Sequence, residues 1–87
     1  MSADLHTIKD TVARAAGESA LAGAVREVEI EPALDGDGDE FLRVKLRMEL
    51  PRGDNTRELR ALLKRIEGAV LAVDSSRYPS VRFLRAA

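Results

Sequence analysis

The chain of 87 residues contains no cysteine, no tryptophan, one histidine and only three aromatic residues, one tyrosine and two phenylalanines. Without cysteine there is no disulfide framework, thiolate metal site or cysteine nucleophile, so packing alone must stabilise the fold. A single histidine has no second metal ligand of its own kind and no visible acid or base partner. We therefore expect no catalytic residues, no metal and no cofactor, and we interpret the chain as a non-enzyme.

Long apolar runs are also missing, and we expect no export signal. The longest apolar runs are far shorter than the roughly 20 residues that cross a bilayer. The first residues form neither a basic nor an apolar leader. The lack of cysteine is compatible with a reducing compartment. These features predict a single cytoplasmic domain over residues 1–87, with no membrane partner.

Glycine patterns that bind phosphate are absent as well. Neither GxGxxG nor GxxxxGK[ST] occurs, and the GxxG clamp of KH domains is missing. The segment Asp35-Gly36-Asp37-Gly38-Asp39 has the alternating acids of a calcium loop, but Glu40 and Leu46 stand where such a loop needs glycine and glutamate. We interpret the segment as an acidic hairpin turn and leave weak cation binding open.

Apolar residues at helical spacing predict a first helix near the N-terminus. Ser2 is the expected N-cap, and Asp4 is expected in the first turn. The expected core-facing stripe is Leu5, Ile8, Val12 and Ala16. Leu21 lies about 160° around a helical wheel from Leu5, so one straight helix cannot bury both side chains. The helix is therefore expected to end near Gly17.

Two segments that alternate between apolar and charged residues predict an antiparallel hairpin. The first begins at Val25, carries Val28 and Ile30, and is expected to weaken at Pro32. The second has an aliphatic face consisting of Leu42, Val44, Leu46, Met48 and Leu50. If the hairpin turns about Asp37, three opposite-charge pairs face each other: Glu31 with Arg43, Glu29 with Lys45, and Glu27 with Arg47. The net charge is −7 over residues 1–41 and +6 over residues 42–87. This pairing would place much of the opposite charge of the two parts side by side and so neutralise it.

A second helix and a third strand complete the predicted elements. Asn55, with Glu58 three residues later, predicts an N-cap and its capping box. The expected core stripe of this helix is Leu59, Leu62, Leu63, Ile66, Val70 and Val73. A loop over residues 74–79 precedes a short strand that carries Val81 and Phe83.

The order α-β-β-α-β predicts an α+β fold, a two-layer sandwich in which a three-stranded sheet carries both helices on one face. The connection through the second helix makes the second and third strands parallel, either as neighbours or with the first strand between them. This arrangement is similar to the ferredoxin-like superfold. Because that superfold hosts many unrelated functions, the resemblance implies no activity.

An open sheet face and an unpaired strand edge favour a small interaction or regulatory module. We expect it to self-associate through that face or edge, as a homo-oligomer, and its partner is otherwise another protein. The candidate contact residues lie on the open face, the strand edge and the outer side of the second helix: Phe41, Arg43, Lys45, Arg57, Arg60, Lys64, Arg82 and Leu84.

Basic residues without predicted partners leave a nucleic-acid-associated protein as the alternative. The residues expected to contact phosphates are Arg57, Arg60, Lys64, Arg77, Arg82 and Arg85. A net charge of −1 and the lack of an aromatic stacking platform make nucleic acid the less favoured partner.

Overall fold

The computed structural model describes residues 3–86, which form two α-helices and three strands. The helices are α1, Leu5–Gly17, and α2, Thr56–Val73. The strands are β1, Val25–Leu34, β2, Glu40–Met48, and β3, Pro79–Arg85, and a 3-10 turn at Ala22–Ala24 precedes β1. The α+β class and the predicted element order are confirmed.

The central strand of the sheet is β2, because the strand order is β1-β2-β3. β1 pairs with it in antiparallel orientation, and β3 pairs with it in parallel orientation. The two strands joined through α2 are therefore neighbours, which decides between the two arrangements that the sequence left open.

One apolar core joins both helices to one face of the sheet. Its members from the two α-helices and β2 are Ile8, Val12, Ala15, Ala16, Leu42, Val44, Leu46, Met48, Leu62, Ile66 and Val70. Val28 is buried with them, while Ile30, Val81 and Phe83 are partly buried against the cluster. The prediction that both helices cover the same sheet face is therefore confirmed.

The register of the β1–β2 hairpin is the one that pairing about Asp37 predicts. Glu31 lies opposite Arg43, Glu29 opposite Lys45, and Glu27 opposite Arg47. An irregularity between Val25 and Glu27 ends this register. The expectation that Pro32 weakens the strand is wrong, since the pairing continues to Leu34.

The start of α1 differs from the prediction. Asp4 is the N-cap rather than a first-turn residue, and its carboxylate accepts a hydrogen bond from the Thr7 amide at 2.7 Å. The predicted cap, Ser2, lies outside the described residues. An aspartate at this position satisfies one of the free amides of the first turn and places a negative charge at the positive end of the helix.

The start of α2 also lacks the predicted capping box. Asn55 is the N-cap, but its side chain donates to the carbonyls of Pro51 and Gly53, at 2.8 and 3.3 Å, instead of accepting from the helix. The Asp54 carboxylate accepts from the Thr56 amide at 2.9 Å. The local turn therefore uses both side chains, and no hydrogen bond forms between the Asn55 side chain and the first turn of α2.

Three residues predicted to lie in the core are exposed. They are Leu5, Leu50 and Val73. Leu5 and Val73 are the first and last residues of their helices, and Leu50 follows the end of β2. The periodic pattern thus continues in the sequence beyond the region where the two layers overlap.

We expect Leu46→Ala to lower the free energy of unfolding by about 3 kcal/mol, because a cavity replaces a buried leucine. Leu46 is 0% exposed in the central strand. The matched control is Leu34→Ala, which removes the same atoms from a residue that is 68% exposed, and its effect should stay within about 0.5 kcal/mol. Urea unfolding followed by circular dichroism measures both values, and equal losses in the two variants would contradict the position of the core.

Candidate partner-docking surface

The sheet face opposite the helices carries one row of side chains from each strand. The β1 row is acidic and comprises Glu27, Glu29 and Glu31. The β2 row comprises Phe41, Arg43, Lys45 and Arg47. The β3 row comprises Ser80, Arg82 and Leu84. Because side chains alternate between the faces of a strand, these rows are the polar counterpart of the buried aliphatic face.

The first two rows neutralise each other through ion pairs. Arg43 contacts Glu31 at 3.0 Å, and Arg47 contacts Glu29 at 3.2 Å and Glu27 at 3.5 Å. The expected pair between Lys45 and Glu29 is replaced by a diagonal contact from Lys45 to Glu31 at 3.4 Å. The hydrogen bond from Arg43, together with the charge of Lys45, lowers the pKa of Glu31.

Arg82 in the third row has a different environment. It lies opposite Lys45 across the β2–β3 pair and is exposed. The ion pairs found among residues 3–86 do not include it. Like charges directly opposite each other destabilise a sheet. The β3 row therefore carries a positive charge that no carboxylate within the described part of the chain neutralises.

The outer edge of β3 presents free backbone groups. The Tyr78 carbonyl accepts from the Leu42 amide at 2.9 Å, and the Ala86 amide donates to the Met48 carbonyl at 2.9 Å. The backbone N–H and C=O groups of the even-numbered residues in this segment therefore point toward β2. Alternation directs the N–H and C=O groups of Val81, Phe83 and Arg85 away from the sheet. We call these backbone groups the β3 edge.

The outer edge of β1 is different because it contains a proline. The Asp35 amide donates to the Asp39 carbonyl at 2.9 Å. In this register the backbone N–H and C=O groups of the odd-numbered residues of β1 point toward β2, and those of the even-numbered residues point outward. Pro32 therefore has its ring nitrogen on the outer side of the strand, where it breaks no bond within the sheet. The ring interrupts the row of free donors on this edge, which is a common protection against further strand pairing.

The side of α2 that contacts Tyr78 carries apolar residues. The Tyr78 hydroxyl donates to the Glu67 carboxylate at 3.0 Å, which raises the pKa of Tyr78 and shows which side of α2 faces β3. Leu63 and Leu71 lie four residues before and after Glu67 on the same side of the helix. Leu71 is 41% exposed and Tyr78 is 61% exposed. The end of α2 that leads to β3 therefore carries exposed apolar surface.

The predicted contact residues fall into separate groups. Arg57, Arg60 and Lys64 are exposed on α2, in the helix layer, and the sheet separates them from the open face that carries Arg43 and Lys45. The structure therefore does not bring the predicted set together into one surface.

Two apolar residues of the predicted set lie at opposite ends of the open face. Phe41 is half-buried near the hairpin, with the Arg43 guanidinium 5.7 Å from its ring centroid. Leu84 borders a groove of 710 Å³ between the loop that follows β2 and the end of β3.

A buried ion pair, which the sequence analysis missed, lies just before the start of β3. The Asp74 carboxylate is 0% exposed and accepts from the Ser76 amide at 2.9 Å and from the Ser76 hydroxyl at 2.6 Å. Its second oxygen accepts from Nε and Nη2 of Arg77 at 2.9 and 2.7 Å. Arg77 also donates to the Ala3 carbonyl and to the Glu40 carboxylate, at 2.8 and 2.9 Å. The pair joins the end of α2, the N-terminal segment and the start of β2 to the start of β3.

Arg77 was a predicted phosphate contact, but its side chain is 12% exposed and already has two carboxylate partners, which leaves it poorly placed for that role. Aspartate followed two residues later by serine is a signal for the local turn. The contacts from Arg77 to Ala3 and Glu40 depend on tertiary packing, and no local pattern indicates them.

Burial alone would raise the pKa of Asp74, but hydrogen bonds from Ser76 and Arg77 outweigh it and hold that pKa far below its usual range. The Asp74 carboxylate in turn raises the pKa of Arg77. Both groups are therefore charged at neutral pH, and each stabilises the charged form of the other.

Two other predicted candidates have local structural roles. His6 does have an acidic partner, Asp10, at 3.4 Å on the exposed surface of α1. The Asp35 carboxylate accepts from the amides of Asp37 and Asp39, at 2.9 and 3.0 Å, and so stabilises the hairpin turn. Within residues 3–86, no three histidine or acidic side chains form a group that could hold a metal ion.

The chain matches no protein-family model, no curated protein and no solved structure in the comparisons made. The resemblance to the ferredoxin-like superfold therefore stays a prediction. Within residues 3–86, neither helix is long and apolar enough to cross a membrane.

We expect Asp74→Asn to destabilise the protein by about 3 kcal/mol at neutral pH, because it leaves a largely buried guanidinium without its main charge partner. A lowered pKa in the folded state adds stability that is fully present above the unfolded value of about 3.9 and is lost as the pH falls below it. The difference between wild type and variant should thus shrink below about pH 4. Urea unfolding at a series of pH values measures it.

Asp54→Asn is the control, since it makes the same chemical change in an exposed turn whose carboxylate accepts from Thr56. Its effect should be much smaller. An Asp74→Asn variant that is as stable as wild type at neutral pH would contradict the role given to the ion pair.

Proposed function

We propose that the protein is a non-enzymatic interaction module that binds an extended segment of another polypeptide as an added strand on the β3 edge. The difference between the two sheet edges carries this proposal: Val81 and Phe83 direct free backbone groups outward, whereas Pro32 interrupts the opposite edge. In strand addition, backbone hydrogen bonds supply affinity and the flanking side chains supply specificity.

The side chains around the β3 edge support the same function. Val81 and Phe83 are only partly buried, and Tyr78, which directly precedes β3, is exposed. An added strand would remove apolar surface of these residues from water, which favours association. Exposed apolar residues that border free backbone donors and acceptors are the combination that strand addition uses.

The sequence left two further partners open. A second copy of the chain stays a prediction, which light scattering tests. We do not adopt nucleic acid, because Arg77 is engaged with Asp74 and Glu40, and the other basic residues are divided between the helix layer and the sheet. A phosphate backbone would meet only part of the set at one time.

The test uses an uncharged peptide of the length of β3, in which threonine alternates with valine. We expect it to shift the backbone amide resonances of Val81 and Phe83 in a nuclear magnetic resonance titration. Val81→Pro should weaken binding by about tenfold or more, because it removes an outward donor and places a ring on the edge, as Pro32 does on β1.

Val81→Ala is the matched control, since it truncates the same side chain but keeps the amide. Circular dichroism of both variants verifies that the sheet is intact. Equal affinity in the two variants, resonance shifts confined to another surface, or no binding at all would refute strand addition at this edge.

A further inference from the structure

We propose that the segment bound at the β3 edge is acidic: an extended strand of a different protein in which carboxylates alternate with apolar residues. This inference rests on the proposed function and names the chemistry of its partner. Three observations lead to it: the unneutralised charge of Arg82, the apolar flank beside the edge, and the poor fit of a second copy.

The charge pattern of the open sheet face is the reason to expect carboxylates in the bound segment. Neighbouring positions across the three strands are occupied by Glu29, Lys45 and Arg82. Lys45 has a carboxylate at 3.4 Å, that of Glu31, while no ion pair among residues 3–86 includes Arg82. An added strand places one side chain opposite Arg82, with Cβ atoms about 5 Å apart. A carboxylate there completes an ion pair with Arg82, whereas a lysine would place a third cation beside Arg82 and Lys45.

The other face of the sheet, which the helices cover, is the reason to expect apolar residues in the bound segment. Residues of the added strand that flank the one opposite Arg82 point toward the helix layer, because side chains alternate between faces. There they meet the partly buried Val81 and Phe83. The matching segment therefore has carboxylates and apolar residues at alternate positions.

A second copy fits this edge poorly. If two β3 strands paired about a two-fold axis near Val81, Arg82 or Phe83, the two Arg82 side chains would lie directly opposite each other or diagonally adjacent. The β3 row of a second copy contributes no carboxylate, since it comprises Ser80, Arg82 and Leu84. The acidic β1 of a second copy could supply one, but Pro32 interrupts its free edge. These constraints favour a different protein as the source of the strand.

The experiment compares three peptides of the length of β3 with valine at alternate positions and glutamate, threonine or lysine at the others. Fluorescence anisotropy gives the dissociation constants. At low salt we expect the glutamate peptide to bind about tenfold more tightly than the lysine peptide, and added salt should reduce this ratio. Arg82→Glu should reverse the preference, because it replaces the cation opposite the bound strand with an anion.

Arg57→Glu is the matched control. It makes the same charge change at an exposed position of α2. The two variants therefore have equal net charge, but Arg57→Glu leaves the β3 row unaltered. Its preference for the glutamate peptide should remain. A similar loss of preference in both variants would mean that overall charge, and not the Arg82 position, selects the peptide, and would overturn the inference.

The remaining outcomes separate the two proposals. If all three peptides bind equally and Val81→Pro weakens them all, strand addition stands and the acidic specificity is refuted. If no peptide binds, or Val81→Pro has no effect, both proposals fail. If light scattering shows a dimer of the protein alone that Val81→Pro dissociates, a second copy occupies the edge, which overturns the acidic partner and leaves strand addition in place.

Discussion

Leu42, Val44 and Leu46 lie in the central strand, between β1 and β3 and beneath both helices, and the arrangement of the other elements follows from their burial. Burying one face of β2 directs its alternate residues, all basic after Phe41, to the other face. The acidic row of β1 then neutralises those bases, so the hydrophobic core and the surface ion pairs favour the same register. Agreement between these levels is what makes one hairpin register much more stable than its neighbours.

A three-stranded sheet with a buried central strand has two free edges, and the two are not equivalent. Pro32 interrupts the first without loss to the sheet, because its nitrogen faces outward. The second retains its outward amides, and the ion pair between Asp74 and Arg77 holds its start against the N-terminal segment and β2. A rigidly positioned free edge is a suitable scaffold for recognition, because little order is lost when a partner strand is added.

Features that depend on periodicity or on charge alternation could be predicted from the sequence. The hairpin register followed from the mirrored charges about Asp37, and the element order followed from the change between helical and strand periods. Element ends were less accurate: Leu5, Leu50 and Val73 continue a pattern beyond the overlap of the layers. At the start of α2, Asn55 bonds to preceding carbonyls, a competition between local contacts that sequence spacing does not resolve.

The candidate site was predicted in part. An open face and a free edge were expected, but the sequence did not indicate which edge, because this depends on β3 being the neighbour of β2. The role of Arg77 could not be predicted, since its contacts to Ala3 and Glu40 join residues distant in the chain. Arg82 was among the candidates, and the structure adds that it lies opposite a lysine rather than an acid.

Amide hydrogen exchange of the protein alone measures whether the outer edge of β3 is free. We expect protection to alternate along the strand: the amides of Arg82 and Leu84, which point toward β2, should be protected, while those of Val81 and Phe83 should exchange faster by on the order of tenfold or more. Equal protection of all four amides would show that the edge is already covered, and the β3 edge could then not accept a partner strand.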